Sequence, residues 1–246
     1  MTLALVTGSS RGIGYATAQA LAGKRISVVL TSRSLADAES AATELRNSNP
    51  GMDVEALELD VTSESSVAAA ADEIGRRRGS LDILINNAGV LPEATDAEPH
   101  EFASTDLFRS TFATNVFGLV ATTEAFVPLL KKSVAGRVVN VSTRMGSLTD
   151  QSDPGSPYFR MVVPAYQASK AAVNSITVGL AKKLSDTPIK VTAVCPGFVQ
   201  TDLTPANRAQ APLTAEDAAR VVTDAAVLPD TAASGTFIDR DGAVPW

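Results

Sequence analysis

From end to end the chain alternates short apolar runs with segments of helical periodicity, and that rhythm restricts its fold more than any other feature. Strand-like runs stand at residues 3–6, 27–32, 54–59, 83–86, 138–141, 191–195 and 236–238. Helical patterns fall between them, at 13–22, 35–47, 65–77, 102–131, 165–185 and 215–228. Apolar runs joined by helical crossovers are the signature of a parallel sheet covered by helices on both faces. The expectation is an α/β fold, a doubly wound parallel sheet of about seven strands. At 246 residues, 45% of them hydrophobic, the chain can bury one large core. No linker, repeat or low-complexity tract divides it, so residues 1–246 are expected to form one domain.

The first strand runs into Thr7-Gly8-Ser9-Ser10-Arg11-Gly12-Ile13-Gly14. Three glycines at a strand-to-helix turn let the backbone approach a pyrophosphate and place it at the helix N-terminus. Free N–H groups and the helix dipole favour an anion there. A plain tight turn is the competing reading, and the spacing is G-x-x-x-G-x-G rather than G-x-G-x-x-G. Position decides for the cofactor: the turn follows the first strand of an alternating, Rossmann-like chain. The second strand ends in Thr31-Ser32-Arg33, without the acidic residue that would bind the ribose 2′-hydroxyl of NAD. Small Ser32 and cationic Arg33 leave room and charge for a 2′-phosphate, and Arg11 could reach it too. The expected cofactor is NADPH/NADP+.

Tyr166-Gln-Ala-Ser-Lys170 carries the candidate chemistry. Residues four apart on a helix share one face, so both side chains enter the same space. A phenol has an ordinary pKa of about 10 and is a poor acid at neutral pH. An adjacent ammonium stabilises the phenolate and brings that pKa toward the working range, as proton transfer to a carbonyl oxygen requires. Alone, the pair reads better as a half-exposed tyrosine and a solvated lysine; the upstream turn gives it force.

Other classes are disfavoured. A net charge of −6 argues against non-specific nucleic-acid binding, and the short clusters at 76–78, 131–132 and 182–183 read as solvated surface. One cysteine, Cys195, and one histidine, His100, make neither a disulfide nor a zinc site; no metal is expected. Cys195 ends an apolar strand and reads as an inert core thiol in a reducing, cytoplasmic setting. No run of 18 apolar residues suggests a membrane span, and residues 2–6, read as a buried strand, leave no room for a signal peptide.

Taken together, residues from Thr7 to Gly242 resemble a short-chain dehydrogenase/reductase. The motifs that carry this are Thr7 to Gly14, Asn86-Asn87-Ala88-Gly89, Asn115 in a long helix, the hydroxyls closing the fifth strand, and Tyr166 with Lys170. Pro196-Gly197 with Thr201-Asp202 matches the loop that closes over the nicotinamide. The resemblance implies Tyr166 as acid/base, and Lys170 as ribose ligand and depressor of the tyrosine pKa. Asn115 would interrupt its helix and anchor a proton-relaying water. Cofactor contacts would come from Gly8, Ser10, Arg11, Gly12, Ile13, Gly14, Ser32, Arg33, Asp60 and Val61 beside the adenine, and Asn87, Ala88 and Gly89. Tyr166, Lys170, Pro196, Gly197, Val199 and Thr201 complete that set. A structural role for Asn86, tying strand ends together, is as good a reading as a cofactor contact.

Two departures from the pattern bear on function. The fifth strand ends Val-Asn-Val-Ser-Thr, so the usual substrate-orienting serine is replaced by Thr143, with Ser142 one place earlier. Thr143 is the favoured hydroxyl and Ser142 the reserve. Residues 144–165, between Thr143 and Tyr166, are more numerous than in compact members, and their glycines and prolines read as a structured loop or broken helix. Longer insertions here resemble those of carbonyl reductases, implying NADPH-dependent reduction of a ketone or aldehyde. Substrate loops are expected at 90–105, 144–165 and 198–213, with Tyr158, Phe159 and Met161 as walls or, equally, as packing for the loop itself. The alternatives are a 3-oxoacyl reductase using Arg144 and Arg160 toward an acidic carrier, and a non-catalytic NADP-binding sensor. If the apolar end of the insertion covers the helices carrying Asn115 and Tyr166, the chain would be a monomer; a two-fold homodimer is the alternative.

Overall fold

The computed structural model describes residues 2–48 and 50–246. Its strands are β1 (Leu3–Val6), β2 (Ser27–Ser32), β3 (Val54–Glu58), β4 (Ile83–Asn86), β5 (Arg137–Val141), β6 (Lys190–Val194), β7 (Thr236–Asp239) and β8 (Gly242–Ala243). They form one sheet in the order β3-β2-β1-β4-β5-β6-β7-β8. All neighbours are parallel except β7 and β8. The two-residue β8 is the strand that sequence patterning passes over, because two residues carry no period. Strand order reverses between β1 and β4, and in open α/β sheets that switch point opens a crevice at the strands' C-terminal ends.

The alternation expected of β-strands sorts the core into two layers. Ala4 and Val6 of β1 face one side, where they join Leu21, Leu45 and Val222. These come from α1 (Gly12–Gly23), α2 (Leu35–Ser48) and α9 (Ala215–Ala226). Leu3 and Leu5 face the other side and meet Ile74, Phe126 and Leu184. That layer holds α3 (Glu64–Arg78), α5 (Leu119–Leu130) and α7 (Pro164–Lys183). Thr214 caps α9: its hydroxyl accepts from Asp217 N–H at 3.1 Å.

The helical pattern at 102–131 resolves into α4 (Thr105–Phe112), a π-helical turn (Ala113–Gly118) and α5. By length and composition residues 105–130 could cross a bilayer, yet half of their most apolar window is buried. The run packs against α3, α7 and β4, as a core helix does. The 144–165 insertion holds a 3₁₀ turn (Arg144–Gly146) and α6 (Leu148–Ser152), and the 198–213 loop holds α8 (Pro205–Gln210). Both loops are therefore structured, through helices too short to show a period in sequence.

Candidate active site

The glycine turn leaves β1 for α1 at the switch point. Gly12 has φ +60, in the left-handed region that favours glycine. Gly14 is required by proximity: a Cβ there would lie 2.6 Å from Asn87 Nδ2 and 2.7 Å from Gly8 O. No side chain caps α1, whose N-cap is Arg11. The turn thus offers an anion the uncapped N–H groups at the start of α1, with no Cβ at positions 8, 12 and 14, which fits a dinucleotide pyrophosphate. Asn87 holds the turn to the end of β4, donating from Nδ2 to Thr7 O at 2.9 Å and Gly8 O at 3.0 Å. Thr7 Oγ1 in return accepts from the N–H groups of Asn87 and Ala88. Thr201 packs onto the same turn, its methyl 3.5 Å from where a Gly12 Cβ would stand.

Of the residues assigned to the adenosine side, Arg33 is exposed and forms no ion pair among the described residues. Arg11 stands 4.0 Å from Asp202. Asp60 Oδ1 accepts from Thr62 N–H and Oγ1, which fixes the turn after β3. Asn86 takes the structural role: its Nδ2 bonds Thr123 Oγ1 and Asn140 Oδ1, and Asn140 reaches Thr177 on α7.

Tyr166 and Lys170 lie on one face of α7, both buried, with Lys170 Nζ 5.7 Å from the centre of the phenol ring. Lys170 Nζ donates to Val141 O at the end of β5, at 2.8 Å. Burial lowers the lysine to about 8 and raises the tyrosine above its ordinary value. The sequence leads one to expect a tyrosine pKa depressed by Lys170; burial raises it instead. Both groups are withdrawn from water, which penalises each charged form, and the ammonium is directed at a carbonyl rather than at the phenol.

Asn115 sits in the π-helical turn, as the expected helix interruption. Its Oδ1 accepts from Val90 N–H at 2.8 Å, and its Nδ2 donates to Val90 O and Ser169 Oγ, each at 3.0 Å. A Cβ on Gly89 would come within 3.4 Å of Asn115 Oδ1 and 3.6 Å of Lys170 Nζ, so both border one gap.

The two hydroxyls closing β5 separate as strand alternation demands. Ser142 points inward, donating to Asn174 Oδ1 at 2.6 Å. Thr143 is half-buried and accepts from Met145 N–H at 3.2 Å, next to Arg144, whose N–H donates to the Cys195 thiol at 3.4 Å. Burial pushes that thiol up from its ordinary value. A cavity of about 180 Å³ opens beside it, lined by Arg144, Tyr158, Pro196, Gly197 and Asp239. A larger one, of about 510 Å³, lies beyond the N-terminal ends of β2 and β3, away from these groups. Phe159 and Met161, expected as pocket walls, are exposed. Val199 is buried, and its loop closes on Leu213.

One participant escaped the sequence reading. Glu93, in a short 3₁₀ turn (Pro92–Thr95), accepts the N–H of Ala165 at 2.9 Å and of Tyr166 at 2.8 Å. The hint was present in Val163-Pro164, a helix start that supplies no side-chain acceptor of its own.

Residues 2–212 match the profile of the short chain dehydrogenase family. The chain is 36% identical over 233 residues to the short-chain dehydrogenase anuI of Penicillium roqueforti, covering 91% of this chain and 88% of the relative. It superposes on salutaridine reductase from Papaver somniferum with a TM-score of 0.81 at 28% identity, covering 96% and 99% of the two chains. The NADPH-bound carbonyl reductase from chicken fatty liver superposes at 0.82, with 25% identity and full coverage of both. With this fold, this glycine turn and these matches, the chain belongs to the short-chain dehydrogenase/reductase family, oxidoreductases acting at a CH–OH or C=O carbon.

Proposed function

We propose that this protein reduces a small-molecule ketone or aldehyde to the alcohol with NADPH. The observation that carries the reading is the buried pair on α7, Tyr166 with Lys170, tied by Lys170 Nζ to Val141 O at the end of the strand that leads into Thr143. The bound nicotinamide would supply a hydride to the carbonyl carbon. Tyr166 would deliver the proton to the oxygen, and burial suits it to that role by keeping the phenol protonated. Thr143 would orient the oxygen by a hydrogen bond. Lys170 would hold the nicotinamide ribose. Asn115 would anchor a water that relays protons to Lys170. Arg33 and Arg11 favour the 2′-phosphate, each well-formed contact being worth about 10–150-fold in preference for NADPH over NADH.

A small-molecule substrate is preferred to a carrier-bound acyl chain because Arg144 is committed: Nε bonds Asp150 at 2.7 Å and Nη1 reaches Asp239 at 3.4 Å. Little of its charge is left for an acidic carrier. A cytoplasmic location and a monomeric state belong to the same reading. The test is NADPH and NADH oxidation over carbonyl compounds of graded size, repeated with Tyr166→Phe. Turnover should prefer NADPH and fall about 10²-fold or more in the variant, with cofactor binding kept. Equal use of both cofactors, or full activity without the phenol hydroxyl, overturns it.

A further inference from the structure

We infer that Glu93 is a positioning residue for Tyr166, holding its backbone from the substrate loop and biasing its phenol toward the protonated form. This rests on the role proposed for Tyr166.

The first turn of α7 can be accounted for donor by donor. An α-helix leaves its leading N–H groups without partners inside the helix. Here Pro164 occupies the first position and has no N–H, and N-cap Val163 has no side-chain acceptor. The next two donors, Ala165 and Tyr166, both go to one carboxylate, Glu93. Gln167 N–H then makes the first intrahelical bond, to Val163 O, and Gln167 Oε1 accepts the Val163 N–H. A foreign carboxylate therefore does what an N-cap serine would do, and one of its two bonds ends on the proposed proton donor itself.

The position of Glu93 is itself controlled. Three residues upstream, Val90 is clamped through both N–H and C=O by Asn115. Loop, π-helical turn and α7 thus form a closed circuit around Tyr166 and Lys170.

Charge gives the circuit a chemical effect. A carboxylate at a helix N-terminus opposes the positive end of the dipole, which would otherwise favour phenolate at Tyr166. The groups facing that phenol are few. Lys170 shares its helix and Cys195 faces it from the end of β6. Arg144 is neutralised by Asp150 and Asp239, and on α4 Asp106 is paired with Arg109. Removing the Glu93 charge should let Tyr166 ionise at lower pH. In the reduction direction the active form is the protonated phenol, so the alkaline limb of the rate profile should move down.

The experiment compares wild type with Glu93→Gln, which keeps volume and loses charge, and with Glu93→Ala. Far-UV circular dichroism and NADPH titration establish that each variant is folded and binds cofactor. The pH dependence of kcat/KM is measured together with a ¹³Cζ-tyrosine NMR titration of the NADP+-bound protein, Tyr166 being assigned through Tyr166→Phe. In Glu93→Gln both the alkaline limb and the Tyr166 titration should fall by about half a pH unit. Amide exchange at Ala165 and Tyr166 should quicken roughly tenfold in Glu93→Ala, whose cap is gone. Superimposable Tyr166 titrations in wild type and Glu93→Gln would refute the inference. A wild-type protein inert toward every carbonyl compound would instead refute the proposed reaction, and the NMR titration would still decide on Glu93.

Discussion

Ser142 and Thr143 show how one position along a strand divides structural work from candidate chemistry. Ser142→Ala strands the buried Asn174 Oδ1 without its donor, at a cost of about 1–3 kcal/mol in stability, and should leave kcat nearly intact. Thr143→Val removes the hydroxyl at the site and should lower kcat by about 10²-fold, while Thr143→Ser stays active. Unfolding curves and steady-state rates on the three variants check this, and the reverse ranking moves the role to Ser142. Lys170 offers a second measurement, with pH as the variable. Its folded-state pKa of about 8 lies below the ordinary lysine value, so between these two the unfolded chain holds the extra proton. Stability from this group therefore rises as pH climbs through that window, and below it the fold bears the whole cost of a buried ammonium. Lys170→Met should stabilise relative to wild type most at pH 7, opposed by loss of the bond to Val141 O, and the advantage should shrink by up to about 3 kcal/mol toward pH 10. Denaturant midpoints at both pH values test it; a constant difference is the contrary result.

At the scale of elements, legibility followed periodicity and spacing. β1, β2 and β4 were readable to the residue because buried strands are apolar runs with abrupt ends. The Tyr166–Lys170 pair was readable because helix geometry fixes what four residues apart means. The π-helical turn was expected only through family resemblance, since nothing local to Asn115 announces a wider helix. The two pKa directions were not readable, because burial is set by elements far away in sequence. Glu93 lies more than seventy positions from the amides it holds, and no pattern links a loop glutamate to a distant helix start. Short helices such as α6 and α8 escape for the simpler reason that five or six residues complete hardly more than a turn.

For the whole molecule, assembly turns on one face. The monomer expected from the insertion needs its apolar end to cover the α4–α5 and α7 pair. In the structure Met161 and Val162 remain 45% and 72% exposed, and Phe117 in the π-helical turn 65% exposed. Light scattering behind size exclusion at micromolar protein should return a single chain under the proposed reading. A two-fold dimer weakened by Phe117→Ser would show that this face is shared with a second copy, and a stable tetramer would refute any covering role for the insertion. The circuit through Val90, Glu93 and Asn115 also reaches into protein engineering. Residues 90–105 are a natural place to exchange segments when a new specificity is wanted. Yet a graft that swaps the turn at Pro92–Thr95 also exchanges the cap of the helix bearing Tyr166. Libraries that hold position 93 as glutamate should give a larger share of active clones than libraries that vary the loop freely.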